Sequence, residues 1–254
     1  MKPSATILDT PFPSFRPDGH FGRLLDRMLE RHVLATDPVK LASLFRGRTK
    51  DGWQTEFWGK YMHAAVPFWR YTGSAELGRR IVAGVREILA LQEPDGYIGN
   101  YAPEDRFTLG WDVWGAKYTL MGLLHYHDLA ARFPELLPAG APPAAATLGA
   151  AVRLCDCLAA ARGPEGRLGP DLRLTGMYGG MPSLSVLEPV VWLYRRTGEP
   201  RFLAFADHVV RQMTQFPDGP QLLKLAGVPV ADRRFGRVPP FLSLIHISEP
   251  TRQE

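Results

Sequence analysis

From Asp95 to Lys117 the chain reads DGYIGNYAPEDRFTLGWDVWGAK, a dense run of rings, carboxylates and amides. Asp95 and Gly96 form a turn, and Tyr97, Asn100, Tyr101, Glu104 and Asp105 crowd the loop that follows. A helix then opens on Trp111, Asp112 and Trp114. Flat aromatic faces beside hydrogen-bonding groups suit a ligand with apolar C–H faces and a hydroxylated rim, which is the chemistry of a carbohydrate. The same residue types also fill ordinary loops, so the elements that hold them must decide.

Other residues carry similar chemistry. Trp53, Gln54, Glu56, Trp58 and Lys60 begin an earlier helix, where Glu56 and Lys60 stand four apart, the spacing of an ordinary surface ion pair. Glu188 sits in the apolar run SVLEPVVWLY, where a carboxylate needs a partner, as a structural acceptor or as a site residue. Pro189 directly after it implies a kink, or a helix that starts later. Trp111, Asp112, Trp114 and Lys117 stand at the start of an expected inner helix, where they would line the funnel of a toroid; the alternative is that Asp112 caps or stabilises the helix N-terminus and Trp114 is plain core. His63, His125 and His127 lack metal-ligand spacing backed by carboxylates and read as structural. Cys155 and Cys157, two apart on a helix, point in different directions and cannot readily clamp a metal or bridge. They read as small buried residues in a reducing compartment.

The supporting elements are helical. Apolar positions recur at helical spacing over Phe21 to Val33, Glu56 to Tyr71, Ala75 to Gln92, Trp111 to Phe133, Ala144 to Arg162, Ser183 to Thr197 and Arg201 to Phe216. Alternating strand patterns of convincing length are missing. Trp111 to Phe133 is apolar on more than one side, as a helix between neighbours should be. A degenerate repeat runs through the set. FWRYTG (Phe68 to Gly73) and WLYRRTG (Trp192 to Gly198) each end a helix, a second helix follows, and Asp95-Gly96 or Asp218-Gly219 closes the unit. Between them, Tyr126 to Gly166 forms a middle unit with a Pro/Ala spacer that reads as a surface loop. Hairpins of this kind stack as a solenoid or close into an α/α toroid. The expected fold is all-α, an incomplete (α/α)6 toroid over residues 19–240, preceded by an extended arm over 1–18. An open ring of this kind leaves apolar helix faces exposed.

Composition excludes several alternatives. With 254 residues, 45% of them hydrophobic and 22% charged, the chain can bury one large core. The net charge of +4, with Lys only six of the 30 basic residues and Arg scattered, argues against nucleic acid. No apolar run approaches the ~20 residues of a membrane-spanning helix, so no membrane partner is expected. MKPSATILDTPFPSF lacks the apolar stretch of a secretory signal, which makes cytoplasmic residence the expectation.

The last residues read differently. Leu242 to Arg252, LSLIHISEPTR, resembles the translation of a transposase adapter used to prepare sequencing libraries. The expectation is that residues 241–254 are an artefactual tail, that the natural reading frame continues beyond about Pro240, and that His246, Ser248 and Glu249 carry no function.

WQTEFWGKYMHAAVPFWRYTG (Trp53 to Gly73), DGYIGNYAPEDRFTLGWDVWGAKYTLMGLL and SLSVLEPVVWLYRRTGEPRFLAFADHVV (Ser183 to Val210) together resemble the N-terminal part of glycoside hydrolase family 127, a group related to β-L-arabinofuranosidases. The similarity runs from about Phe21 to Gln215. It implies an (α/α)6 catalytic domain followed by β-sandwich domains. It also implies retaining hydrolysis of non-reducing-end glycosides by a cysteine held on zinc by further cysteines and a glutamate, with another glutamate as acid/base. Zinc keeps such a thiolate deprotonated at neutral pH, whereas the ordinary retaining device is a pair of carboxylates. The family's zinc cysteines lie later in the barrel, and Cys155 and Cys157 do not match them. The chain is therefore expected to be a truncated fragment that supplies part of the sugar funnel without a nucleophile or a zinc of its own. Its partners would be a carbohydrate substrate and the missing half of the barrel with the β-sandwich domains. Where relatives hold the sugar with early-barrel histidines, Tyr118 and Ser183 stand at roughly matching places here, implying a sugar other than arabinofuranose.

The expected substrate-binding set is Glu56, Trp58, Trp111, Asp112, Trp114, Lys117, Tyr118, Ser183 and Glu188, with no catalytic or metal-ligating residue. Two other readings compete. A complete small α/α-toroid sugar epimerase would need a pair of acid/base histidines, and no such pair stands out. A non-catalytic helical scaffold would show more regular repeats and polar caps.

Overall fold

The computed structural model describes residues 16–47, 52–108, 110–177 and 179–214. The adapter-like tail lies outside the described residues, as does the N-terminal arm apart from 16–18. Among the described residues the chain is all-helical, with no strand. The helices are α1 (Gly19–Met28, running into a π turn over Leu29–Val33), α2 (Pro38–Ser43), α3 (Glu56–Thr72), α4 (Ala75–Ala90), α5 (Asp112–Arg132), α6 (Ala144–Arg162), α7 (Met181–Leu184), α8 (Leu187–Thr197) and α9 (Pro200–Thr214).

The helix-ending turns of the first and last repeat units share the same hydrogen bonds, while the Asp218-Gly219 turn expected to close the last unit lies outside the described residues. Gly73 and Gly198 both take left-handed backbone (φ 67° and 69°), and their N–H groups donate to the Trp69 and Tyr194 carbonyls, each at 2.8 Å. The preceding Thr72 and Thr197 hydroxyls each donate to the carbonyl four residues back, at 2.8 and 3.0 Å. The same hydroxyls accept the N–H two residues on, from Ser74 and Glu199, at 3.2 and 3.3 Å. Each turn hands the chain straight into the next helix, giving the hairpins α3/α4 and α8/α9; α5/α6 pairs the same way across the longer Pro/Ala loop.

Helices α3, α5 and α8 lie side by side in one layer, and α4, α6 and α9 back them in a second. α5 touches α3, α6 and α8, which explains its apolar residues all round. Glycine sets the tightest contact. A Cβ on Gly59 would lie 1.9 Å from the Tyr118 carbonyl oxygen, and one on Gly122 2.4 Å from the Trp58 ring. The backbones of α3 and α5 therefore meet closely, with the fully buried Trp58 between them.

Three elements differ from expectation. α2 is too short for periodicity to reveal, yet Asp37 caps it by accepting from Val39 N–H at 2.9 Å, with Pro38 in the first position where no N–H is needed. The helix expected over Ser183 to Thr197 breaks into α7 and α8, and Pro189 falls in the first turn of α8, where a missing donor is harmless. α6 is, by length and composition alone, apolar enough to cross a membrane, against the reading that no such run exists. Here Ala151, Leu154, Cys155 and Leu158 are buried, as in a core helix packed on α5.

Candidate functional site

The loop that leads into α5 turns its rings inward. Tyr97, Tyr101 and Phe107 are fully buried and Asn100 nearly so, so the segment expected to meet a sugar is mostly interior. Asp112 at the start of α5 is its centre. One carboxylate oxygen accepts the Tyr97 hydroxyl at 2.8 Å, and the other accepts Phe107 N–H at 3.0 Å. Tyr97 Oη in turn accepts Tyr101 N–H at 3.0 Å, and Tyr101 Oη accepts Trp111 N–H at 2.8 Å. Phe107 holds left-handed backbone (φ 55°), rare for a bulky residue, because both its backbone groups are gripped. Asp112 takes its N–H, and Arg162 Nε donates to its carbonyl at 2.7 Å. Arg106 closes the loop from below, donating to Glu93 at 2.6 Å and Asp95 at 3.0 Å, with its guanidinium 4.0 Å from the Tyr97 ring centroid. Burial pushes the Asp112 carboxyl up to about 7, against the downward pull of its two hydrogen bonds. Asp112 thus holds the loop from inside; its side chain makes no capping bond to α5 and it is not among the residues lining the cavity beside Trp111.

What the loop presents outward is Trp111. It joins Trp53, Glu56, Lys60 and Trp114 around a cavity of about 380 Å³. Glu56, on the first turn of α3, accepts from Trp114 Nε1 and pairs with Lys60 at 2.9 Å. The expected i, i+4 ion pair is present, but the Glu56 side chain is only 9% exposed, so the pair is built into the wall. Trp114 and Tyr118 meet edge to face at 4.9 Å, and Trp114 meets Trp111 at 6.5 Å.

Against the rings of Trp114 and Tyr118 stands Lys117, 2% exposed. Its ammonium stands 4.9 Å from the Trp114 ring and 4.7 Å from the Tyr118 ring, the same two rings that Lys60 approaches at 5.6 and 4.9 Å. Lost hydration lowers Lys117 to about 8; Lys60 pushes the same way, while Glu188 and Glu56 oppose. Burial raises the Glu188 carboxyl, with Lys117 opposing, and raises the Tyr118 phenol to about 12.

Of the residues anticipated from sequence, Glu56, Trp111, Trp114, Lys117, Tyr118 and Glu188 come together on the face shared by α3, α5 and α8. Trp58 and Ser183 are fully buried. Trp53, half exposed, belongs to the cavity as well, and its place just ahead of α3 on the side where Trp111 precedes α5 was the available signal. His63 and His125, read as structural, form a 2.7 Å Nδ1···Nε2 contact between α3 and α5, with Trp192 of α8 edge-on to His125 at 5.4 Å. Burial lowers both imidazoles, His125 to about 4, which favours neutral rings sharing one hydrogen bond. His63 lies one turn beyond Lys60 and extends the polar face.

The zinc that the resemblance implies finds no fit in this chain's cysteines. Cys155 is fully buried and Cys157 nearly so, and burial pushes both thiols up, Cys157 to about 11, away from the thiolate a metal needs. Among the described residues no group of three or more His, Cys, Asp and Glu could hold a metal ion.

The sequence profile of the β-L-arabinofuranosidase, glycoside hydrolase family 127 catalytic domain matches residues 22–228. No curated protein and no solved structure matches the chain. The catalytic domain of that family is an (α/α)6 barrel, and two layers of paired helices with a polar inner face accord with it. The chain belongs to the β-L-arabinofuranosidase-like glycoside hydrolases of family 127.

Proposed function

We infer that this chain supplies the carbohydrate-binding wall of a glycoside hydrolase and that the bond-breaking thiolate comes from residues it does not contain. The observation that carries this reading is the cavity itself: three indoles stand around a carboxylate and an ammonium held side by side. A sugar ring would stack on Trp111 or Trp53 while its hydroxyls donate to Glu56 and accept from Lys60. The whole enzyme would hydrolyse non-reducing-end glycosides with retention, as the family does. The described portion would then be one arc of the toroid, completed by the rest of the barrel and followed by β-sandwich domains. Neither cysteine here is suited to serve as nucleophile, since both thiols are buried and held protonated.

The test has two parts. Tryptophan fluorescence or saturation-transfer NMR should register methyl glycosides binding to the full chain, and Trp111→Ala should abolish the signal. Aryl glycosides should stay intact with the chain alone. Absence of binding would remove the site. Turnover that survives Cys155→Ser/Cys157→Ser and added chelator would remove the second half of the reading.

A further inference from the structure

The charges on the inner face are not answered equally. From α3 come Glu56, Lys60 and His63; from α5, Lys117, Tyr118 and His125; from α8, Glu188. Glu56 is engaged twice, by Lys60 and by Trp114 Nε1. Lys117 is only 2% exposed, yet among the described residues its ammonium makes no hydrogen bond or ion pair. It rests on the faces of Trp114 and Tyr118, which already carry the Lys60 ammonium. Two cations therefore share one pair of rings, and among the described residues the one carboxylate in contact with them, Glu56, pairs with Lys60. Glu188 attracts Lys117 from across the face without touching it, and burial holds that carboxyl nearer its neutral form.

An ammonium shielded from most water and left without an acceptor is unfavourable, and aromatic faces replace only part of the lost hydration. A neutral sugar would offer hydroxyl lone pairs, which leave the charge unmatched. A carboxylate would match both the charge and the donors. We propose that the site receives an anionic glycoside, a sugar ring bearing a carboxylate, with Lys117 as its counter-ion, Lys60 beside it and the indoles of Trp111 and Trp114 against the ring. This rests on the carbohydrate reading above and narrows it to a substrate class.

The proposal is tested by titrating the full chain with methyl glucuronide and methyl galacturonide, with the matching neutral methyl glycosides, and with acetate. The uronides should bind at least tenfold more tightly than their neutral counterparts and than acetate. Lys117→Met should bring the uronides down to the neutral level, Lys117→Arg should retain much of the preference, and circular dichroism should show both variants folded. Because the bound carboxylate favours the charged amine, uronide affinity should fall as pH rises through about 8, while neutral glycosides should not follow it. Equal affinity for uronide and neutral glycoside overturns the proposal and leaves the carbohydrate site standing. Acetate binding as tightly as the uronides also overturns it, since the spot would then take any anion. Absence of binding by every sugar overturns both readings.

Discussion

The loop before α5 and the wall beside it use the same vocabulary of Tyr, Trp, acid and base, and they use it in opposite ways. Around Asp112 the hydrogen-bonding groups close on one another: Tyr97, Phe107, Tyr101 and Trp111 form a chain of contacts between 2.8 and 3.0 Å. Around Lys117 they do not close. The ammonium has rings for neighbours and a glutamate out of reach. The contrast shows how a site differs from a scaffold built of the same residues. Buried polar groups that satisfy each other fix the backbone. Single unpartnered atoms occur in the loop too, at Asn100 Oδ1 and Arg106 Nε. Among these groups, a whole charged group without an acceptor stands only beside the wall.

That contrast can be broken at its strongest point first. Asp112→Ala leaves the Tyr97 hydroxyl and the Phe107 N–H unanswered in the interior, at about 1–3 kcal/mol each, so unfolding in urea should show a loss of roughly 2–6 kcal/mol. A loss below about 1 kcal/mol would mean that the loop is not held from this carboxylate.

The pH profile sharpens the same point. The folded carboxyl is raised from 3.8 to about 7, so the folded chain holds a proton that the unfolded chain has released in that window. Stability from this group is complete below about pH 4 and falls as pH climbs to about 7, with a slope on the order of 1.4 kcal/mol per pH unit at most. Asp112→Asn should remove that slope in parallel urea titrations.

Lys117→Met should act the other way, raising stability at pH 7 by about 1–3 kcal/mol, because an unanswered buried charge gives way to an apolar side chain of similar length. In the parent chain the lowered amine means that the unfolded state binds more protons between about 8 and 10.5. Stability should therefore rise across that window, and the variant should lose the rise. The smallest effect belongs to Lys60→Met. The lysine end of its ion pair with Glu56 is 42% exposed and Trp114 Nε1 still donates to the carboxylate, so chemical unfolding should move by under about 1 kcal/mol. A large loss there would show that the wall, too, is scaffold.

Much of this was legible in the sequence, and the limits have physical causes. The hairpins could be read because Thr-Gly ends two helices with the same hydrogen bonds, and the long apolar α5 announced its central place. Glu56, Trp111, Trp114, Lys117 and Tyr118 could be named because they cluster at helix starts and at helical spacing along one face. The direction of the loop's rings could not be read, since Tyr97 and Trp111 look equally suited to a sugar until Asp112 is seen to draw one inside and leave the other out. Trp58 resembled its neighbour Trp53 for the same reason: a helix start does not say which indole faces the core. The His63–His125 contact was hidden because the two residues lie on different helices and become neighbours only where α3 and α5 meet.

Gly59 fixes one last property. With the Tyr118 carbonyl seated where a methyl group would be, the helices bearing Lys60 and Lys117 are clamped like the jaws of a caliper. A wider or narrower ligand cannot be accommodated by sliding one jaw along the other. With that gauge kept, a different ligand would have to be met by the side chains on the jaws or by Trp53 and Trp111 just ahead of them.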